Sequence, residues 1–441
     1  MTAVAAVDHG RAAPDDLVAL ETLDGLVSPV GVVCAVHAMP TVRGLTELSA
    51  FVADTGRVNL RAVESEAVFG SGYRVGAPDR ARLVAIAEAA ERYAGGDFLA
   101  EPRVWATSSQ LSGRVIEPGR FPRCSAAEYA HPRCPVGPPD PDSPIRWVSG
   151  TDLASGDPIW VPATMSCYWL RDMVAAERFA PRISTGYAVH LDPAEAVLNG
   201  IFEVIERDAA SLLWQQMLPV PLVGPEVTSP LLDTLTDWAR RHFIRAYLFD
   251  ATTDLGVPTV YCVLVAEHST VLRTVVSAGV ARTLTEAAER ALLETIVVRD
   301  VFRTGRFTPP ASIDEVVAHG DGSWFMAAAQ RADAFDFLLR DAARRPPVPR
   351  AGLPADARSA LIALAEIFRR RDIPVAVVDR TPAELARVGL TGVSVSIPDL
   401  LPVSGSPFAR FRAQPRLYEA PARMGFRAHG EKELNPWPQP F

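Results

Sequence analysis

Three stretches of this 441-residue chain set carboxylates and arginines three or four residues apart inside otherwise apolar sequence. Glu88, Glu91 and Arg92 stand in AIAEAAERY; Glu203, Glu206, Arg207 and Asp208 stand in GIFEVIERDA; Arg290 and Glu294 stand in ERALLETIVVRD, with Arg299 beyond them. On a helix those spacings put side chains on one face, so each helix can aim two charged groups at one point. Like charges embedded in an apolar stripe cost roughly several kcal/mol unless they are paired or bound to a cation. Pairing with the neighbouring arginines on solvated faces accounts for any one of these helices. Three repeats of the device in one chain weaken that account. Hard oxygen donors without histidine favour Mg2+ over zinc, and arginines beside them favour phosphate.

The elements that must hold these groups are legible from periodicity and punctuation. Residues 79–94 read as an alanine-rich helix. Residues 193–214 read as a second, with Pro193 in its first turn and Asp192 as its N-cap. Residues 283–304 read as a third, opened by a capping box at Thr283 and Glu286. Strands are expected around Tyr247, over Val260–Ala266, and at 373–378 and 391–397. The stretch LDGLVSPVGVVCAV from Leu23 has β-branched residues on both sides of a Ser-Pro turn, a hairpin-like signal. Proline and glycine fill residues 120–144, which read as a long surface loop, either a boundary or an insert facing substrate. Alternating strands and helices give an α/β or mixed α+β class, with the glutamate-bearing helices packed on sheets.

Composition removes several function classes. The chain carries 44 basic and 52 acidic side chains, a net charge of −8, which speaks against duplex nucleic acid. It holds a single lysine, Lys432, so a P-loop or a pyridoxal-phosphate Schiff base is disfavoured. Five scattered cysteines form no CxxC pair. No run approaches the ~20 apolar residues of a membrane span, and the cytoplasm is the expected compartment. Gly70, Gly72 and Gly76 imitate a dinucleotide fingerprint, but the acid that should follow, Glu91, falls within a helix rather than at a strand end. His190 reads as a structural histidine, and no G-x-S-x-G elbow occurs.

Taken together, AIAEAAERY, ISTGYAVHLDPAEAVLNGIFEVIERDA and ERALLETIVVRD resemble the motifs of the YcaO family, ATP-dependent enzymes that activate peptide backbone amides. The azoline-forming subset is resembled through WVSGTDLASG and VPA (147–163), VGLTGVSVSIPDLLP, and a C-terminus in which Pro436, Pro438 and Pro440 alternate. The resemblance implies ATP and Mg2+ as cofactors, with Glu88, Glu91, Glu203, Glu206 and Glu294 holding the metal. It implies that Arg207 and Arg290 contact phosphate, and that Glu195, Glu203 and Glu294 belong to the nucleotide site. It further implies a Cys, Ser or Thr of a precursor peptide adding to the preceding amide carbonyl. ATP then phosphorylates that oxygen, and loss of phosphate leaves a thiazoline or oxazoline. Alternating prolines favour an extended tail that could bring the Phe441 carboxylate to the reacting amide as a base.

The expected layout is a leader at 1–20, a catalytic unit over 21–430 and a proline-rich tail at 431–441. The expected partners are the precursor peptide, a leader-binding protein related to ubiquitin-activating enzymes, a flavin dehydrogenase and a second copy of the chain. Departures from the family pattern fall at Thr185, His190, Leu191 and Val297, all touching the expected nucleotide pocket. Two rivals stand beside the azoline reading: thioamide or amidine formation by the same amide activation, and a non-catalytic scaffold that binds the precursor or a partner.

Overall fold

The computed structural model describes residues 19, 21–56, 69–97, 102–167, 169–305, 308–317 and 320–441. Apart from Ala19, the expected leader lies outside the described residues. Strands β1 (Val33–Ala38), β2 (Leu48–Thr55) and β3 (Phe69–Val75) form an antiparallel sheet in that order. Five further strands follow: β4 (Val104–Ala106), β5 (Arg114–Val115), β6 (Ile145–Asp152), β7 (Pro158–Pro162) and β8 (Tyr187–His190). A second three-stranded antiparallel sheet contains β9 (Arg245–Asp250), β10 (Thr259–Val265) and β11 (Thr274–Val280), with β10 central. Finally β12 (Ala376–Asp379) and β13 (Thr391–Ser396) complete the largest sheet, ordered β5-β7-β6-β12-β13-β8 with β4 alongside β6. The mixed α/β class expected from the sequence is the class observed.

Among the described residues, six helices of eight or more residues join these sheets: α1 (Pro78–Ala94), α2 (Pro193–Gln215), α3 (Pro230–Arg241), α4 (Leu284–Thr304), α5 (Ala357–Arg369) and α6 (Arg416–Arg423). The three helices expected from the sequence are α1, α2 and α4. Asp192 caps α2 by accepting from the Ala194 N–H at 2.8 Å. At α4 the capping box is reciprocal: Thr283 Oγ1 accepts from Glu286 N, and Glu286 Oε2 accepts from Thr283 N. Small residues then decide how near each helix comes to its sheet. Ala81, Ala85 and Ala89 of α1 lie against Gly70 and Gly72 of β3, and a methyl at Gly72 would drive into the Ala81 carbonyl.

Strand β10 explains where the core sits. Val260, Cys262 and Leu264 enter an apolar cluster with α3 and α4, while Tyr261, Val263 and Val265 enter another with Trp214, Phe335 and Phe411. All seven β10 residues are buried because period-two alternation feeds both cores, and so the sequence reads as one unbroken apolar run.

Two expectations are corrected. The Ser28-Pro29 turn does not make a hairpin: Val27 forms an isolated bridge to Val33, and β1 takes β2 as its antiparallel partner. Turn chemistry bends the chain, but too few residues precede the turn to make a strand. Nor is 120–144 a boundary. Cys124 and Val136 are buried in the cluster around Trp214. Glu128 accepts backbone N–H bonds from Ser125, Arg410 and Arg412, so this loop is stitched to the C-terminal segment.

Candidate functional site

Each acidic helix is anchored against a strand that fixes its carboxylates. On α1, Glu88 Oε2 accepts from the Ser71 N–H of β3 at 2.9 Å and from its hydroxyl at 3.2 Å. On α2, Glu203 Oε2 accepts from Gly186 N at 3.0 Å, just before β8. Gly186 has φ of 90°, the left-handed region where glycine is favoured, and a Cβ there would meet the Val395 carbonyl. On α4, Glu294 takes a hydrogen bond from Ser277 of β11.

Two arginines bind these carboxylates together. Arg92 reaches Glu88 at 2.8 Å and Glu91 at 2.6 Å. Arg207 lies 3.4 Å from Glu203 and 3.4 Å from Glu206. The side chains are recessed but not sealed, at 15% exposure for Glu206 and 17% for Glu91.

Electrostatic coupling between the helices closes a triangle. Burial pushes Glu91 well above the usual carboxylate range; Arg92 opposes this, and Glu203 and Glu88 add to it. Burial pushes Glu206 up to about 8, against Arg207 and with help from Glu294 and Glu203. Glu294 is raised by burial, with Arg207 and the Ser277 hydroxyl opposing and Glu88 and Glu203 adding. Burial disfavours the Arg207 cation, yet Glu206, Glu203 and Glu294 together hold its pKa above the ordinary value. Glutamates from residues 88–91, 203–206 and 294 therefore share one field. Five glutamates around two arginines can carry more negative charge than those cations balance, and a divalent cation with oxygen-preferring coordination would favour their ionised form.

Among the described residues, no three acidic, histidine or cysteine side chains come close enough to share one ion. The glutamates turn onto Arg92 and Arg207, since charge-assisted bonds at these distances draw the oxygens toward the guanidinium groups. They form a ring around two cations rather than a ready cage. The donor set still suits Mg2+, and Glu88, Glu91, Glu203, Glu206 and Glu294 are the residues that would hold it.

The remaining expected residues divide. Arg290 is exposed, donates to the Val280 carbonyl at 3.1 Å, and lies near enough to Glu206 to lower its pKa. Glu195, two turns ahead of Glu203 on α2, pairs with Arg282 at 2.6 Å and not with the other glutamates. His190 is exposed, its Nδ1 accepting from Asp192 N at 2.9 Å. Leu191 is exposed, and Val297 packs against the α3–α4 core.

The tail is an ordered strap running antiparallel to α2. Asn435 N donates to Gln215 O, the Trp437 carbonyl accepts from Trp214 Nε1, and Gln439 bonds Ser211 and Ser404. Pro438 and Pro440 are buried and Pro436 is exposed. Phe441 ends the strap with its ring 4.8 Å from the Arg207 guanidinium carbon.

Sequence reasoning missed Ser71, Tyr73 and Ser277. Burial raises the Tyr73 phenol well above its usual value, and Glu294 and Glu88 raise it further, so it borders the same ring. The alternation Gly70-Ser71-Gly72-Tyr73 was the available signal: glycines face α1, and the polar residues fall between them.

The chain matches the family model described as YcaO cyclodehydratase, ATP- and Mg2+-binding, over residues 75–401. It is similar to an uncharacterized protein in the tfuA 3′ region of Rhizobium leguminosarum bv. trifolii, 33% identical over 129 residues, which are 27% of this chain and 29% of that protein. Among solved structures it is similar to a heterocyclase in complex with substrate and cofactor, with a TM-score of 0.81 and 23% identity over 98% of this chain and 58% of that one. It is also similar to the heterocyclase TruD, with a TM-score of 0.67 and 22% identity over 82% of this chain and 51% of that one. The chain thus spans about three-tenths of the curated relative and under three-fifths of either heterocyclase. At these identities the structural likeness is one of fold.

Proposed function

Because the chain belongs to the YcaO family, a family of ATP- and Mg2+-binding proteins, we propose that it is a peptide cyclodehydratase. It would use ATP to phosphorylate a backbone amide of a ribosomally made precursor and convert Cys, Ser or Thr into thiazoline or oxazoline. The observation that supports this best is the ring of five glutamates from three distant helices around Arg92 and Arg207. Such a ring is costly for folding and useful for seating a metal-bound triphosphate.

The reaction asks specific things of these residues. A side-chain thiol or hydroxyl adds to the preceding amide carbonyl, and the resulting oxygen attacks the γ-phosphorus with ADP leaving. Phosphate then departs as the C=N bond forms, so the peptide loses the elements of water. Bound Mg2+ supplies charge neutralisation for the transferring phosphoryl group. Glu88, Glu91, Glu203, Glu206 and Glu294 hold that charge in place, and Arg207 and Arg290 contact phosphate oxygens. Glu195, together with Arg282, orients a polar part of the nucleotide. The strap Pro436–Phe441 delivers Phe441 beside Arg207, where it is the candidate base for the attacking thiol or hydroxyl and for the amide proton.

The same reading includes a separate leader-binding partner. A protein related to ubiquitin-activating enzymes fits that role, with a flavin dehydrogenase oxidising azolines and a homodimer as the working assembly. Among the described residues, no helix is long and apolar enough to cross a membrane.

The test is mass spectrometry of a candidate precursor incubated with the chain, its partner, ATP and Mg2+. A loss of 18 Da per ring, with release of ADP and phosphate, is expected from the wild type and absent from Glu203→Ala or Glu206→Ala variants that remain folded. Product formation unchanged in both variants removes these glutamates from the site. No ATP turnover by the wild type, with peptide and partner present, leaves the scaffold reading.

A further inference from the structure

Beside the glutamate ring lies an apolar cavity of about 70 Å3 that neither the ring nor the strap uses. Its walls are apolar, among them Phe121, Met165, Ala180, Ile183, Val204 and Ile397. Two of its lining residues are chain neighbours of the ring: Val204 follows Glu203, and Thr185 precedes Gly186, whose N–H binds Glu203. Pro402 also lines it and is tied by its carbonyl to Ser211, the residue that holds Gln439 of the strap. The cavity therefore adjoins the carboxylates that would seat the phosphates and the strap that ends at Arg207.

One polar group in this wall is unsatisfied. Ser396 is 4% exposed, and its hydroxyl has no hydrogen-bond partner. A buried hydroxyl left unpaired is unfavourable, and such groups are found where a ligand or water completes them. Charged side chains are missing from the lining, so an anionic group is a poor occupant. The lining suits an apolar side chain, with the Ser396 hydroxyl left to meet backbone.

Resting on the cyclodehydratase reading, we propose that this cavity is a specificity pocket for the precursor residue immediately before the cyclising Cys, Ser or Thr. It takes an apolar side chain of the Leu, Met or Phe class, and Ser396 Oγ bonds that residue's backbone. Connectivity singles out this residue. The activated oxygen sits on its carbonyl carbon, so its Cα is one bond from the reacting centre and its side chain is the nearest non-reacting one. With the oxygen turned to the phosphate, the wall beside Glu203 is the surface within that side chain's reach. The 120–144 loop contributes Phe121 and Pro122 to this wall, which accords with a role facing substrate.

Synthetic peptides identical except for Gly, Ala, Leu, Phe or Asp before a single Cys test the proposal on the full chain. Two readouts are taken: binding by fluorescence anisotropy with Mg2+ and a non-hydrolysable ATP analogue, and dehydration with ATP. The Leu and Phe peptides are expected to bind about tenfold or more tighter than the Gly peptide, the order of magnitude for burying a large side chain. Ala180→Phe, which fills the cavity, should bring that ratio near one while sparing the Gly peptide. Ser396→Ala removes no hydrogen bond from the fold and should weaken all five peptides alike by a few-fold.

Equal binding of all five peptides by the wild type overturns the proposal. So does a change confined to the nucleotide in Ala180→Phe, which would give the cavity to the ATP base instead. A binding ladder that Ala180→Phe erases, with no dehydration of any peptide, upholds the pocket and removes the cyclodehydratase reading. Dehydration without a ladder does the reverse.

Discussion

The guanidinium of Arg207 stands 4.8 Å from the ring of Phe441 while its nitrogens lie 3.4 Å from carboxylate oxygens of Glu203 and Glu206. One cation thus joins the glutamate ring to the end of the proline strap, although 234 positions separate the two residues in the chain. Removing Pro436–Phe441 should therefore stop ring formation while changing the KM for ATP by only a few-fold. Phe441→Ala should have a smaller effect, since a cation–π contact contributes about 0.5–2 kcal/mol. Steady-state kinetics with a precursor and varied ATP separates the two parameters. Full cyclisation by the truncated chain would refute the role given to the strap.

Much of this arrangement was legible before the coordinates. Asp192, Pro193 and Thr283 fixed where α2 and α4 begin, because capping is local and a short sequence suffices to specify it. The spacing of Glu203, Glu206 and Arg207 likewise fixed a shared face. Ser71, Tyr73 and Ser277 were not legible, because their part depends on which strand lies under which helix. β11 itself, TVVSAGV, mixes small and β-branched residues without clean alternation, and all seven are buried, so period gave no signal. Glu195 was expected at the nucleotide site through the resemblance alone, and helical spacing cannot tell that Arg282 waits beside it.

The pH dependence of stability follows from the raised carboxyls. Glu206, at about 8 in the folded protein against an ordinary 4.5, holds a proton that the unfolded chain releases. Its contribution is whole below the ordinary value and is lost as pH rises through about 8. Glu91 and Glu294 shift in the same direction. Without added metal, Tm should fall as pH is raised from about 5 to about 9, and Mg2+ with ATP should restore it most at the alkaline end. Glu206→Gln should flatten the slope while abolishing turnover. Differential scanning fluorimetry across that range checks it, and a Tm rising with pH in the metal-free protein would contradict the assignment.

Close approach of α1 to β3 sets where Glu88 stands. A methyl at Gly72 meets the Ala81 carbonyl, which is backbone and has no rotamer to move. Gly72→Ala should cost about 1–3 kcal/mol, as overpacking does, and push α1 outward from Ser71. Weaker nucleotide binding should follow in calorimetry, because Glu88 loses the two bonds that fix its Oε2. Gly76→Ala is the control for local strain without crowding, since its φ of 70° disfavours alanine yet nothing lies near the added methyl. Equal nucleotide affinity in the wild type and Gly72→Ala would show that this approach does not position the site.

Behind the ring, Asp208 anchors the opposite face of α2. Arg416 binds it through two nitrogens at 2.7 and 2.6 Å and also reaches Asp254 at 2.9 Å, with all three side chains almost fully buried. Arg416→Ala leaves Asp208 with the Leu401 N–H alone, whereas Asp254 keeps Arg423 at 3.6 Å and Arg371 at 3.9 Å. An uncompensated buried carboxylate of this kind costs roughly 3–5 kcal/mol. The burden therefore falls on Asp208, whose pKa burial already raises despite the pairing. Adding Asp208→Asn to Arg416→Ala should recover a large share of the lost stability, because the amide keeps an acceptor for Leu401 and carries no charge. A double variant no more stable than Arg416→Ala in urea unfolding would move the cost from the stranded charge to lost packing around α6.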